Sequence, residues 1–198
     1  NNSNNIYSSR ITDSNGIHKV VFENDSLGRI IVSTYYDLDG NVTKRKDGVA
    51  IMKYEYDDWG NISTLKFYSA SGKYTMNSRM YSKITNECDA WGNIVKEQFY
   101  DQNEKLCYNS DNAAQRIIEY DKNGFPLSIS ILDANGKPWV GKEDYSKVYI
   151  KCDNRGNQIE NNYEGISGKP CTNAGGYASI TVEYDRWGHP THQAIYSI

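Results

Sequence analysis

The sequence predicts an all-β fold: a tandem array of β-hairpins forming an elongated, twisted or spiral antiparallel sheet that resembles a β-solenoid. Three observations predict it. A 32-residue unit recurs six times, apolar residues alternate with period two on both sides of each unit's turn, and no stretch of about ten residues shows sustained helical periodicity. A sheet of that many strands must twist or curl rather than stay flat.

The repeat is carried by a D-x-x-G frame, as in YDDWGN from Tyr56 and YDRWGH from Tyr184. Aspartate at the first position of a type I turn accepts hydrogen bonds from backbone N–H groups two residues on, and glycine takes the left-handed conformation that closes a three-residue hairpin with a bulge. The predicted structural turn residues are Asp25, Gly28, Asp57, Gly60, Asp89, Gly92, Asp121, Gly124, Asp153, Gly156, Asp185 and Gly188.

A second turn is predicted twelve residues after the first glycine of a unit. It ends in glycine at Gly40, Gly72, Gly136 and Gly168, whereas Glu104 is the exception. A polar stretch follows and closes in a small-aromatic-small patch, clearest at Gly176-Tyr177-Ala178. Each unit is therefore predicted to run as strand, tight turn, strand, second turn and irregular connection.

Three rows of residues at 32-residue spacing are predicted to face inward and to stack into an apolar seam. Before the turn they are Val20, Met52, Ile84, Arg116, Val148 and Ile180, then Phe22, Tyr54, Asn86, Ile118, Ile150 and Val182; after it they are Tyr35, Phe67, Phe99, Ile131, Tyr163 and Ile195. Arg116 and Asn86 interrupt this pattern, and the sequence does not indicate how they are accommodated.

We expect a single β-repeat domain over residues 17–198, preceded by an N-terminal lead or cap at residues 1–16. Its units lie near residues 22–53, 54–85, 86–117, 118–149, 150–181 and 182–198. The last unit stops where its second turn should begin, so we expect the array to be a fragment of a longer one.

Composition disfavours two classes of partner. The formal net charge is -3, with 22 basic and 25 acidic residues scattered along the chain, so no basic stripe indicates nucleic acid. No apolar run approaches the ~18 residues of a membrane span, so we expect no membrane insertion of this chain. The 17 tyrosines, against 4 phenylalanines and 4 tryptophans, are typical of half-buried sheet surfaces.

The four cysteines fall at two repeat positions. Cys88 and Cys107 have the same spacing as Cys152 and Cys171, and no other unit carries cysteine at either position. Our hypothesis is two disulfides within units, 88 to 107 and 152 to 171, which would imply an oxidising compartment. The alternative is four unpaired thiols buried as small apolar groups. Zinc is disfavoured because no CxxC or nearby histidine accompanies them.

Residue patterns for catalysis and for metals are weak. One aspartate per turn favours turn capping over a calcium ladder, and His189 and His192 at three-residue spacing on a strand would point to opposite faces. The sequence contains no G-x-S-x-G, phosphate-binding glycine loop or H-E-x-x-H motif. We therefore expect no enzyme activity, no cofactor and no metal site.

Tryptophan precedes the turn glycine in three units, as Trp59, Trp91 and Trp187. A ladder of indoles could hold flat sugar faces or a partner's side chains, but we favour an interpretation in which each ring shields its turn and packs on the next unit. The two roles are compatible, and the candidate ligand-binding residues are these three together with Trp139 and Tyr177.

The chain resembles the YD-repeat, or RHS-type, proteins of bacteria, in particular secreted or surface proteins with Y-D-x-x-G-N, G-K-P and G-Y-A units. The residues that carry the resemblance are Tyr56 to Asn61, Tyr100-Asp101, Gly136-Lys137-Pro138, Gly168-Lys169-Pro170 and Gly176-Tyr177-Ala178. It implies repeated hairpins, export or surface location, and a role in binding, shielding or spacing. The chain is too short to enclose a toxin domain and its period is stricter, so encapsulation is not implied. A weaker likeness exists to hairpin repeats that bind choline or carbohydrate.

Two functions follow as expectations. The first is a non-catalytic secreted or cell-surface binding module that recognises a polysaccharide or a surface protein. The alternative is a structural spacer or adhesin stalk with no ligand of its own. Exposure of the turn tryptophans separates them, because a stalk should bury its indoles and a lectin-like face should leave several open to solvent.

Overall fold

Twelve antiparallel strands form one open sheet, in which each strand pairs with its neighbours in chain order. This computed structural model describes residues 12–198 and contains no helix within that range. The strands are β1 (Lys19–Asn24), β2 (Ile30–Tyr36), β3 (Ile51–Tyr56), β4 (Ile62–Tyr68), β5 (Lys83–Cys88), β6 (Ile94–Tyr100), β7 (Gln115–Tyr120), β8 (Pro126–Leu132), β9 (Lys147–Cys152), β10 (Gln158–Glu164), β11 (Ser179–Tyr184) and β12 (Pro190–Tyr196). The predicted all-β hairpin array is confirmed.

The predicted N-terminal lead or cap falls largely outside the described residues, which begin at residue 12. Its last part forms a turn, in which the Gly16 N–H donates to the Asp13 carbonyl at 3.0 Å. No helix in the described part of the chain is long and apolar enough to cross a membrane.

Each hairpin turn is organised by its aspartate. In the turn at Asp57 the backbone N–H donates to the Asn61 carbonyl at 2.9 Å, and the carbonyl accepts from the Gly60 N–H at 3.1 Å. Asp57 Oδ1 accepts from the N–H groups of Trp59 and Asn61, at 3.0 and 2.8 Å. Gly60 has φ 91°, the left-handed conformation, and a register shift marks a bulge beside the turn.

A third turn lies in each connection, which the sequence pattern predicted to be irregular. Its fourth residue donates its N–H to the carbonyl of the first, as Met80 does to Asn77 at 3.0 Å. Backbone hydrogen bonds join the last four third turns, as from Lys142 N–H to the Asp111 carbonyl at 2.9 Å. Glycines at residues 16, 48 and 176, at multiples of 32 residues apart, are the sequence signal that could have identified this turn.

The core lies between one face of the sheet, here called the covered face, and the residues that follow the third turns. The buried residues of this cluster are Val49, Phe67, Tyr81, Ile84, Phe99, Ala113 and Ile131. The Tyr81 ring from a connection lies between Phe67 and Phe99 of the sheet, with ring centroids 5.7 and 5.0 Å away. The predicted inward rows thus face the core, although Phe22 and Ile195 near the two ends of the array remain exposed.

The opposite face of the sheet carries ion pairs between neighbouring strands. Lys66 Nζ lies 2.5 Å from Glu55 Oε1, and Lys96 Nζ lies 2.7 Å from Glu87 Oε1. Exposed pairs of this kind contribute only about 0–1 kcal/mol each. This face is therefore solvated, and burial on the covered face supplies most of the stabilisation.

The tyrosine of the Y-D frame links each hairpin to the preceding one. The hydroxyl of Tyr56 donates to the Ile30 carbonyl at 2.7 Å, and that of Tyr120 donates to the Ile94 carbonyl at 3.1 Å. Where Cys88 replaces the tyrosine, Asn86 Nδ2 donates to the Ile62 carbonyl at 3.1 Å. Asn86, which interrupts an apolar row, is thus accommodated by making the same link between hairpins.

The predicted disulfides are wrong, because all four cysteines are free thiols. Cys88 pairs with Ile94 beside the hairpin turn, whereas the Cys107 N–H donates to the Phe99 carbonyl near the other end of the strand. Five strand residues separate these positions by about 16 Å, more than twice what a disulfide spans. Cys107 packs against the core, and burial raises the pKa of its thiol to about 11.

Candidate functional site

The hairpin turns stack side by side across one end of the strands. We call this surface the turn ridge; it comprises residues 25–28, 57–60, 89–92, 121–124, 153–156 and 185–188. Consecutive turns approach closely, because a Cβ at Gly92 would lie 3.0 Å from Asn61 Oδ1 of the preceding turn. Gly92 is needed both for this approach and for its φ of 87°. At about 4.8 Å per strand and two strands per unit, turns recur roughly every 10 Å.

Every turn of the ridge except that at Asp121 is braced by the side chain of the residue that follows its glycine. Asn61 Nδ2 donates to Asp57 Oδ2 at 2.9 Å, and Asn93 Nδ2 donates to Asp89 Oδ2 at the same distance. This side-chain bond and the backbone N–H groups around it lower the pKa of both aspartates below its ordinary value. These carboxylates are therefore ionised at neutral pH and engaged within their own turns, which explains the asparagine of the YDxxGN frame.

The indoles of the turn ridge are open to solvent. Trp59 is 80% exposed, Trp91 is 84% exposed and Trp187 is 67% exposed. The interpretation that each ring packs on the next unit therefore does not hold for Trp59 and Trp91. Trp187 carries the Arg186 guanidinium 3.9 Å from its ring centroid, a cation–π contact on one face.

A cleft opens between Trp91 and the following turn. It has a volume of about 170 Å³ and is lined by Trp91, Asn93 and the next turn, Asp121 to Gly124. The cleft places an apolar ring beside an amide, a carboxylate and the Lys122 ammonium group. The cleft is smaller than the ~300 Å³ at which ligand pockets begin, but it combines an apolar ring with polar groups as such pockets do.

The other two predicted binding aromatics lie elsewhere. Trp139 follows a second turn, at the end of the strands opposite the turn ridge, with its ring centroid 5.3 Å from that of Tyr108. Tyr177 follows a third turn and packs on Tyr163 of β10, with ring centroids 6.1 Å apart; both are partly buried. The structure therefore brings together the turn tryptophans but not all five predicted residues.

Metal ligands are not clustered on the turn ridge. Within residues 12–198, no group of three or more His, Cys, Asp or Glu side chains could hold a metal ion. His189 instead lies beside Asp185 of its own turn, with Nδ1 3.2 Å from Oδ2. The chemistry that the turn ridge offers is stacking on indole rings and hydrogen bonding to amides and carboxylates.

Comparison with known proteins gives a distant likeness only. No protein-family model matches the chain. No curated protein matches it either. Among solved structures it is similar to the TcdB2-TccC3-TEV crystal structure, with 13% identity and a TM-score of 0.45 over 90% of this chain and 9% of that one. It is also similar to the Photorhabdus luminescens Tc holotoxin pore with a TccC3 mutation, with 13% identity and a TM-score of 0.37 over 88% and 10%.

The chain thus spans about a tenth of the length of these structures. At such identities and TM-scores the likeness gives no information on activity, ligand or partner.

Proposed function

We propose that this chain is a non-catalytic binding module of a secreted or cell-surface protein, and that it recognises a polysaccharide through the turn ridge. The observation that carries the proposal is the exposure of Trp59 and Trp91, 80% and 84%, on adjacent turns. Neighbouring exposed apolar rings form a patch, and exposed apolar patches on a folded surface mark sites of interaction. Their turns are braced by hydrogen bonds, so little conformational entropy is lost on binding.

Among possible ligands we favour a polysaccharide, because its sugar units repeat along its length as the turns repeat along the turn ridge. The apolar face of a sugar ring stacks on an indole, and its hydroxyl groups meet the amides and carboxylates that surround the ring. Trp59 and Trp91 lie in consecutive units, roughly 10 Å apart along the turn ridge. A linear chain lying across the turns would contact both rings, which multiplies weak individual contacts.

The spacer function is supported by a different observation. Each strand contacts only its neighbours in chain order, so the number of units sets the width of the array. A spacer function, however, does not explain why two indole rings are exposed to solvent. Secretion is part of the proposal and is supported by the resemblance of the sequence to YD-repeat proteins; free thiols lend it no support.

The test is a binding screen of the purified protein against bacterial and host polysaccharides, followed by tryptophan fluorescence titration of each hit. We expect saturable binding with a change in emission, weakened tenfold or more by the double substitution W59A/W91A, since aromatic contacts contribute about 0.5–1.5 kcal/mol each beyond their buried area. The matched control is W139A, which removes an indole that lies away from the turn ridge.

Binding that W59A/W91A leaves unchanged would place the ligand elsewhere on the protein. If the folded protein binds no polysaccharide, the glycan proposal fails. A pull-down by a surface protein that depends on the same two tryptophans would then indicate a protein ligand, and its absence would favour the spacer.

A further inference from the structure

A second cavity lies on the covered face, away from the turn ridge, where β7 and β8 meet two successive third turns. Its volume is about 340 Å³, and it is here called the covered-face cavity. Ile118, Ile129, Ile131 and Tyr145 line it together with five charged residues. Ligand pockets in proteins start at about 300 Å³, so a small organic molecule fits it.

The cavity arises where the repeat departs from its own pattern. Arg116 occupies the position that Met52, Ile84 and Val148 hold in other units, and it pairs across the strands with Glu97, where other units have Ser33, Leu65, Ile129 or Asn161. An apolar position of the covered face has thus become an arginine in one unit only, and a carboxylate lies opposite it.

The guanidinium of Arg116 is engaged by acids on two sides. Its Nη2 lies 2.5 Å from Asp111 Oδ2, and its Nη1 lies 3.5 Å from Glu97 Oε2. The side chains of Arg116 and Glu97 are only 23% and 19% exposed. Arg116 therefore hydrogen-bonds to Asp111 through Nη2, whereas Glu97 lies at a distance that leaves its oxygens able to accept from another donor.

The charges around the cavity sum to a negative value. Three carboxylates, Glu97, Asp111 and Glu143, face two cations, Arg116 and Lys142. Three negative and two positive groups leave an excess of one negative charge. A bound anion would add to this negative charge, and the Arg116 guanidinium already pairs with Asp111. A bound cation would make the site neutral.

We propose that the covered-face cavity binds a small primary amine with a hydrocarbon body. The ammonium group donates to the Glu97 carboxylate, and the hydrocarbon lies on the three isoleucines. Because this cavity shares no residue with the turn ridge, the site is independent of the polysaccharide proposal and either can fail alone.

The test uses three probes of one shape: cyclohexylmethylammonium, cyclohexanecarboxylate and cyclohexylmethanol. Binding is followed by NMR of protein labelled at the isoleucine methyl groups. We expect saturable shifts of the Ile118, Ile129 and Ile131 signals with the amine, and weaker or no shifts with the alcohol and the anion. E97Q, which keeps the side chain's shape but removes its charge, should weaken amine binding about tenfold.

The matched control is E87Q, which removes a carboxylate that pairs with Lys96 on the opposite, solvated face. It should leave amine binding unchanged. Equal binding of the anion, equal affinity in E97Q and wild type, or no saturable shift in the folded protein would overturn the proposal. If E97Q perturbs the sheet, the comparison of the three probes on the wild-type protein decides the question alone.

Discussion

Met80 has a backbone conformation that side chains with a Cβ rarely adopt. It is the fourth residue of a third turn and has φ 68°, whereas Gly16, Gly48 and Gly176 occupy this position in other units. A left-handed residue other than glycine costs about 1–2 kcal/mol. Met80 is 55% exposed, so its side chain offsets little of this cost by packing.

We therefore expect M80G to stabilise the protein. The relief of strain exceeds the extra entropy that glycine brings to the unfolded chain, and the net gain should be about 0.5–1 kcal/mol in the free energy of unfolding. Urea unfolding followed by circular dichroism measures it. The control is M76G, since Met76 is also exposed but does not have a positive φ; this variant should be neutral or destabilising. A destabilised M80G would show that the methionine side chain contributes more than its exposure suggests.

The repeated element of this protein is a hairpin with the connection that follows it. Residues at equivalent positions of different repeats have different surroundings. Phe99 and Ile195 are equivalent residues, each in the strand that follows its unit's hairpin turn, yet Phe99 is 2% exposed and Ile195 is 59% exposed. Phe99 is covered by Tyr81 and by Arg116, whose guanidinium carbon lies 5.6 Å from the ring centroid. Side chains on the covered face are thus buried by residues of neighbouring units and their connections.

Truncation at this position should therefore have unequal effects. We expect F99A to lower the free energy of unfolding by about 3–5 kcal/mol, as for buried aromatic residues, and I195A to lower it by less than about 1 kcal/mol. Hydrogen exchange of the backbone amides measures both, because each substitution should act most on its own hairpin and the next. Similar losses in the two variants would contradict the prediction that burial at this position decides the cost of truncation.

Ten aspartates, distributed over the whole molecule, accept backbone hydrogen bonds within their own turns. Backbone N–H groups or a neighbouring asparagine lower the pKa of each one below its ordinary value of 3.8: Asp13, Asp25, Asp37, Asp57, Asp89, Asp101, Asp121, Asp133, Asp153 and Asp185. The third turns that begin with Asn77, Asn109 and Asn173 use asparagine instead, and Asn109 Oδ1 accepts the same two N–H bonds, each at 3.0 Å. An uncharged acceptor therefore suffices for the geometry.

The protein should consequently lose stability in acid. A lowered pKa in the folded state means that the unfolded chain binds more protons, so the stabilisation is present above about pH 4 and is lost as pH falls through the folded pKa values. The variant D101N/D133N should match wild type near pH 7 and lose less stability below pH 4, because asparagine accepts the same bonds without titrating. Urea midpoints from pH 7 to pH 3 measure this; an equal acid loss in both proteins would contradict it.

The sequence by itself determined the strands, the hairpin turns and their order, because each depends on local chemistry repeated every 32 residues. Aspartate and glycine set a turn within five residues, and period-two alternation sets which side chains share a face. A short turn makes the two strands of each hairpin neighbours, and consecutive elements are usually adjacent in space, so sequential pairing is the simplest topology.

Only the tertiary structure decided where the special residues lie. The exposure of Trp59 and Trp91 depends on how one turn stacks on the next, and the separation of Cys88 from Cys107 depends on the path of a connection that carries an unpredicted third turn. The covered-face cavity likewise requires Glu97, Arg116 and Asp111 to meet from two strands and a turn. Contacts between units depend on how the units stack in space, and the repeat pattern of the sequence does not specify that arrangement.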